Sequence, residues 1–256
     1  MLSNKVVLIT GAAGLLGSAI ARMVVDNGGN VIIGDILVNK GKELENELGS
    51  NKALFINIDT LSIDSINNAI SDGVNYFGKI DAAIHWAYPK SKQWGAKFEN
   101  LKAEYLSEDL FGHLGGAILF SQRIIEEFRK NKSGNLIHIS SIQGVSTPKF
   151  EHYDGTNMVS PIEYSAIKSG IISVTRYLAK YCKGNGIRVN CISLGGILDR
   201  QPQSFLNKYR ESCNEKGMLD AEDIVGTVLF LLNDHSKYVT GQNIIVDDGL
   251  PLWKTK

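Results

Sequence analysis

The 256-residue sequence lacks a charge excess: Lys plus Arg number 27, and so do Asp plus Glu. No overall field would therefore hold the chain on nucleic acid or on an anionic membrane. It lacks a long apolar run at its start as well. MLSNKVVLITG carries one lysine and then a short apolar stretch, too brief for the core of a signal peptide and far short of a membrane span. A cytoplasmic location is the expectation. Cysteine is scarce: Cys182, Cys191 and Cys213 make an odd count with no CxxC spacing, which argues against a disulfide framework or a structural zinc site. They read as packing residues, and no metal is expected. Internal repeats, low-complexity stretches, charged tails and linkers rich in Pro, Gly or Ser are also missing, so one domain over residues 1–256 is expected. By elimination the partner is a small molecule.

What is present is a 43% hydrophobic composition, enough to fill one substantial core. Short β-branched apolar runs at 6–10, 31–34, 53–58, 82–85, 136–140, 187–192 and 244–246 read as buried strands. Helical stretches at 15–27, 39–48, 62–77, 114–129, 161–182 and 221–232 alternate with them. Such alternation predicts an α/β Rossmann-type fold: a doubly wound, parallel, seven-stranded sheet with helices on both faces. The least regular segments, 88–100, 144–160 and 195–203 running on toward 217, each follow a predicted strand. Ligands of open α/β sheets lie beyond the carboxyl ends of the strands, so these segments are the expected pocket walls.

The first strand leads into Thr10-Gly11-Ala12-Ala13-Gly14-Leu15-Leu16-Gly17 and then into an amphipathic helix. Gly11 permits a tight turn, Gly14 lets backbone approach a pyrophosphate, and Gly17 lets the helix pack close to its strand. Ala13, Leu15 and Leu16 complete this turn. A glycine triplet alone can be an ordinary strand-to-helix connection; the strand before it and the helix after it favour a dinucleotide site. The second strand ends at Asp35, about 20 residues on, where a carboxylate accepts both ribose hydroxyls of NAD and repels the 2′-phosphate of NADP. Asp35 also fits a helix cap or turn residue. No arginine follows it, and the nearest cation is Lys40. NAD is thus preferred, with Ile36 beside Asp35, and with Asp59 and Thr60 after the third strand near the adenine.

Tyr164 and Lys168 stand four apart in a helix starting near Pro161, so both lie on one face. A phenol of ordinary pKa about 10 is a poor base at neutral pH, and bringing it to neutrality takes roughly 4 kcal/mol, which an adjacent ammonium can supply. The spacing alone is weak, because Tyr88 and Lys92 share it. Only Tyr164 follows a strand ending in a hydrogen-bonding serine, Ile137-His138-Ile139-Ser140-Ser141.

In these motifs, taken in order with Asp35, Asp59, Ile187-Arg188-Val189-Asn190, and Thr240-Gly241-Gln242 through Asp247-Asp248-Gly249, the chain resembles the compact branch of the short-chain dehydrogenase/reductase family from about Lys5 to Gly249. The resemblance implies an NAD-dependent enzyme with Ser141 holding the substrate oxygen, Tyr164 exchanging its proton, and Lys168 binding ribose hydroxyls and tuning Tyr164. It implies cofactor contacts from Ala87, Tyr164, Lys168 and backbone at Ile197, and a homodimer or homotetramer. The sequence also departs from the family's pattern. Its glycine turn has a GxxGxxG form. His85-Trp86-Ala87-Tyr88 replaces Asn-Asn-Ala-Gly, and His113 stands where the family places a proton-relay asparagine. Leu194-Gly195-Gly196-Ile197-Leu198-Asp199 replaces Pro-Gly with a following threonine, and the path from Ser141 to Tyr164 is lengthened by about ten residues. Residues 149–157 of that path are expected to form a substrate lid. For His113, a relay and a structural helix histidine both stand as readings; His85 reads as packed or capped.

Trp86, Tyr88, Trp94 and Tyr153 with Lys90, Lys92, Lys149 and Arg200 would line a pocket suited to a phosphorylated or nucleotide-linked sugar, unless the cations are solvated loop residues. The Ala87-Tyr88-Pro89-Lys90 segment is similar to flagellin-modification and surface-glycan dehydrogenases of the family, which suggests carbohydrate metabolism. The rival readings are a 3-oxoacyl-carrier-protein or lipid-ketone reductase, a sugar-nucleotide dehydratase or epimerase, and a non-catalytic NAD-binding regulator.

Overall fold

The computed structural model describes residues 1–252. Seven parallel strands form one sheet in the order β3-β2-β1-β4-β5-β6-β7: β1 Val6–Thr10, β2 Asn30–Asp35, β3 Ala53–Asn57, β4 Ala82–His85, β5 Gly134–Ser141, β6 Ile187–Leu194 and β7 Asn243–Val246. The strand period of two divides the core. Val7 and Ile9 face one apolar layer with helices α1 (Leu15–Asp26) and α8 (Glu222–Leu232), together with Leu44 of α2 (Val38–Leu48). Val6 and Leu8 face the opposite layer with α3 (Ile63–Phe77) and α5 (Gly116–Lys130). The predicted architecture is therefore observed.

Two elements were not expected. Residues 98–115 hold a short 3₁₀ turn, then α4 (Ala103–Leu110) and a π-helical turn Phe111–Gly115 that runs directly into α5, so the helix expected at 114–129 starts much earlier. Residues 195–217 hold α7 (Gln203–Glu211), which begins after Pro202 and buries only Phe205 and Tyr209. The helix carrying Tyr164 and Lys168, α6, is Ile162–Tyr181, with Pro161 in an extended conformation ahead of it. The three cysteines are free, as packing residues would be, and Cys182 and Cys191 are buried. No described helix is long and apolar enough to cross a membrane.

Because β1 pairs with both β2 and β4, the connections diverge there and a crevice opens beyond the carboxyl ends. Thr10 closes β1 and His85 closes β4 in the same register row, while Ser141 and Leu194 end β5 and β6 in another. Every strand that presents a candidate residue thus ends at one rim.

Candidate active site

Each side of the crevice is built by a local constraint. Gly11 has φ of +72°, and a Cβ there would stand 2.8 Å from the Trp86 carbonyl oxygen, so only glycine lets the β1 exit pass the β4 exit. A Cβ on Gly17 would collide with backbone at Gly11 and Ala12, which explains the close seating of α1. Helix α1 starts at Gly14 without a side-chain cap or an acidic residue in its first turn, leaving a positive helix end beside Leu15 and Leu16. Gly14, Leu15 and Leu16 line the central cavity of about 720 Å³.

Asp35 is buried at the end of β2. Its Oδ2 accepts from the Ala13 N–H at 2.8 Å and its Oδ1 from the Leu37 N–H at 2.9 Å. The carboxylate therefore organises the glycine turn, the turn role expected as one reading of Asp35. Ile36 beside it is 63% exposed, an apolar surface open at the crevice rim. Strand β3 ends at Asn57, before the expected 58, and Asp59 stands beyond it, exposed, with Oδ1 accepting from Leu61 N–H. Thr60 is buried.

The segment His85-Trp86-Ala87-Tyr88 is locked by Thr10. The Thr10 hydroxyl lies 3.0 Å from His85 Nδ1 and accepts from the N–H groups of Trp86 (3.1 Å) and Ala87 (3.3 Å). His85 is buried and stacked on Phe120, and burial, with His138 and Lys168 nearby, holds its pKa well below the ordinary value. It is a packed, neutral ring, in line with expectation.

Ser141, Tyr164 and Lys168 come together. Ser141 hydrogen-bonds Tyr164, and its Oγ also accepts from Gln143 N–H at 3.2 Å. Gly144 sets this approach, since a Cβ there would stand 2.7 Å from the Lys168 carbonyl carbon and 2.8 Å from its oxygen. The Ser169 hydroxyl closes the same seam on Gly144 O at 3.1 Å, and Ser140 Oγ donates to Lys168 O at 2.7 Å.

Lys168 is buried, donates from Nζ to Ile139 O at 3.2 Å, and lies 5.4 to 5.6 Å from the ring centres of Trp86, Tyr88 and Tyr164. Burial lowers its pKa to about 8. The expected depression of the Tyr164 phenol is not found: burial raises it, and the Ser141 hydrogen bond only opposes that rise. The phenol therefore holds its proton, because desolvation outweighs the Ser141 hydrogen bond.

Tyr88, half of the sequence decoy, belongs to the site. Its ring packs edge-on against Tyr164 at 6.2 Å, Trp94 at 5.4 Å and His113 at 4.5 Å, and Lys90 lies over its face. Lys92 does not join it. Ser91 is pinned through N–H and Oγ to Asp109 (2.8 and 2.7 Å), and Lys92 beyond it is exposed and outside the cavity lining. Arg200 is likewise exposed, on a left-handed backbone (φ 63°) between the lining residues Asp199 and Gln201. Trp86, Tyr88, Lys90, Trp94, Lys149, Tyr153 and Ile197 line the cavity.

His113 lies in the π-helical turn, buried, stacked on Trp94 at 5.0 Å and bonded to Pro89 backbone. Its Nε2 is buried with no partner among the described residues, and burial beside Lys168 lowers its pKa to about 3. It is thus a neutral, packed ring with one unsatisfied acceptor.

The expected lid at 149–157 is not a free flap. Its 3₁₀ turn Phe150–Tyr153 is fastened to α7: His152 Nε2 meets Ser212 Oγ at 2.8 Å, and Lys208 Nζ donates to the carbonyls of Glu151 and Asp154. Sequence reasoning missed Thr10, Gln143, Gly144 and the α7 residues Phe205 and Tyr209. Gln143, two residues past Ser141, was discoverable from that offset.

A family model described as enoyl-(acyl carrier protein) reductase matches residues 11–251. The chain is 46% identical to the post-translational flagellin modification protein A of Campylobacter coli, over 97% of this chain and 99% of that protein. It is 30% identical to the 3-oxoacyl-[acyl-carrier-protein] reductase of Thermotoga maritima, over 97% and 98%. A solved short-chain dehydrogenase from Leptospira borgpetersenii with bound NAD+ superposes with a TM-score of 0.86 at 31% identity, covering 98% of this chain and 94% of that one. The chain belongs to the short-chain dehydrogenase/reductase family. It is an enzyme of that type.

Proposed function

We propose that this enzyme is an NAD-dependent oxidoreductase that interconverts a secondary alcohol and a ketone on a phosphorylated or nucleotide-linked sugar used in surface-glycan or flagellin modification. The observation that carries this reading is that Ser141 and Tyr164 meet at one cavity beside the uncapped start of α1, with buried Lys168 close to the Tyr164 ring.

The residues present fit the cofactor. The glycine turn at Gly11, Ala13, Gly14, Leu15, Leu16 and Gly17 offers a helix end without its own cap to a diphosphate. Asp35 keeps lone pairs for ribose hydroxyls; exposed Ile36, with Asp59 and Thr60, would flank the adenine. Ala87, Tyr164, Lys168 and backbone at Ile197 would hold the nicotinamide half. When bound, NAD supplies hydride exchange with the carbinol carbon. Ser141 donates to the substrate oxygen, and Tyr164, whose burial keeps it protonated, gives its proton to the developing alkoxide during reduction. In oxidation Tyr164 must first lose that proton, which the Lys168 ammonium favours.

The sugar assignment is supported by the walls: Lys90 and Lys149 with Gln143, Ser146, Thr147 and Ser160 give cations and hydroxyl-matching groups around Tyr88 and Trp94. The flagellin-modification relative supports the same class. Reduction of a 3-oxoacyl-carrier-protein is the second reading, favoured by the Thermotoga relative and by the apolar lining residues Met158, Val159, Phe205 and Leu250. A homodimer or homotetramer working in the cytoplasm is part of the proposal, supported by the exposed apolar residues Phe111, Ile118, Ile162 and Tyr177.

Tyr164→Phe tests the reading. NADH binding, followed by fluorescence, should persist, while turnover in a screen of phosphosugars and nucleotide sugars should fall by about 10²- to 10⁴-fold. Unchanged turnover would remove Tyr164 from the mechanism, and tighter binding of NADPH than NADH would overturn the role given to Asp35.

A further inference from the structure

Ser141 ends β5 and caps the 3₁₀ turn Ile142–Gly144, its Oγ accepting from the Gln143 backbone N–H at 3.2 Å. This places the Gln143 side chain on the same cavity wall as the Ser141 hydroxyl, and Gln143 lines the cavity. Its amide is unevenly used. Oε1 accepts from Ser160 Oγ at 2.8 Å and from Ser165 Oγ at 3.3 Å. Nε2, which carries two N–H groups, makes one long contact, to Tyr153 OH at 3.4 Å. A bond of that length is weak, so the amide keeps donor capacity in the cavity that Ser141 and Tyr164 also line.

We propose that Gln143 is a specificity-determining residue: its Nε2 donates to an oxygen on the carbon next to the reacting carbon, selecting α-hydroxy ketones and the corresponding vicinal diols. This rests on the hydride-transfer reading above, which fixes the reacting oxygen on Ser141 and Tyr164. With that oxygen fixed, the adjacent carbon projects its substituent along the wall that begins one turn further on, at Gln143. The partners of Oε1 hold the amide plane: Ser160 belongs to the pocket wall ahead of α6 and Ser165 follows Tyr164 directly, so the donor is oriented before substrate arrives. A hydroxyl group can accept from Nε2 and donate to Tyr153, replacing the long contact between those two by two ordinary hydrogen bonds. A substrate with hydrogen at that carbon leaves the weak contact as it stands and gains nothing.

The test compares NADH-dependent reduction of 2-hydroxycyclohexanone and cyclohexanone, two ketones that differ at this carbon. Wild type should favour the hydroxyketone by about tenfold in kcat/KM, the return on one neutral hydrogen bond. Gln143→Glu keeps an acceptor for Ser160 and Ser165 but removes the donor, and Gln143→Leu removes both. Both variants should reduce the preference to within about twofold, chiefly by raising KM for the hydroxyketone, with NADH binding retained as evidence of folding. The proposal is overturned if wild type shows no preference, or if the variants lose both ketones in equal proportion, as a purely lid-holding role would require. If wild type oxidises NADH with neither ketone, this assignment falls, while the hydride-transfer reading fails only if the phosphosugar and nucleotide-sugar screen also shows no turnover.

Discussion

Gly144→Ala is the most informative single methyl that can be added to this protein. The new Cβ would stand 2.7 Å from the Lys168 carbonyl carbon, 2.8 Å from its oxygen and 2.9 Å from Ser169 N. All three are backbone atoms of α6, which cannot rotate away as a side chain can. Relief requires the helix and the 3₁₀ turn to separate by several tenths of an ångström or more. Overpacking of this kind costs about 1–3 kcal/mol, and at about 2 kcal/mol a chain of this length loses roughly 4–8 °C in Tm. The larger consequence is geometric. The seam that opens is the one holding Ser141 against Tyr164 and the Ser169 hydroxyl on Gly144 O, and misplacement of a reacting group by about 1 Å can cost 100-fold in rate. The expected result is a fall in kcat of about 10- to 100-fold with a smaller loss of NADH affinity, since Lys168 moves with the helix while the glycine turn and Asp35 stay in place. Calorimetry and steady-state turnover on one preparation check both parts. Wild-type kcat with an unchanged Tm would refute the reasoning that this contact sets the distance between serine and tyrosine.

Two further results are expected. Asp35→Ala removes the acceptor for Ala13 N–H and Leu37 N–H as well as the ribose contact, so it should weaken NADH and NADPH together in calorimetric titration; a clean switch to NADPH would show that the turn does not depend on the carboxylate. His138 is buried between Ser121 and Thr175 with its pKa lowered to about 4, so the folded state excludes a proton that the unfolded chain binds from pH 6.5 downward. Its contribution is complete above pH 6.5 and is lost as pH falls toward 4, amounting to about 3 kcal/mol; urea melts that show no loss over this window would contradict it.

Much of this architecture was legible because its signals are local. The β1 strand, its glycine turn and α1 lie within one stretch of sequence, and the Ser141 strand precedes the Tyr164 helix in a fixed order. The elements that were missed carry weak local signals. Helix α7 is polar apart from Phe205, Leu206 and Tyr209 after Pro202, and its burial is created by His152 and Tyr153 arriving from another segment. The π-helical turn hides in Phe111-Gly112-His113-Leu114-Gly115, where two glycines read as a break; Gly112 packs on Pro89 and the helix continues through it. The charge state of Tyr164 was misjudged because spacing reports that lysine is near but says nothing of desolvation, which here decides the sign. Gly144 was passed over because its constraint comes from a helix backbone more than twenty residues later in the chain.

The fastening of Phe150–Tyr153 onto α7 bears on how substrate range can change by mutation. His152 with Ser212, and Lys208 with the carbonyls of Glu151 and Asp154, make two distant stretches of sequence into one wall. A selection for altered substrates should therefore return replacements at 205–212 as readily as at 149–153, although of α7 only Phe205 and Tyr209 line the cavity. The opposite side of the crevice, built by Thr10 and Gly11 at the end of β1 and by Asp35 at the end of β2, would be untouched by such drift. One half of the crevice can be rewritten while the other keeps its chemistry.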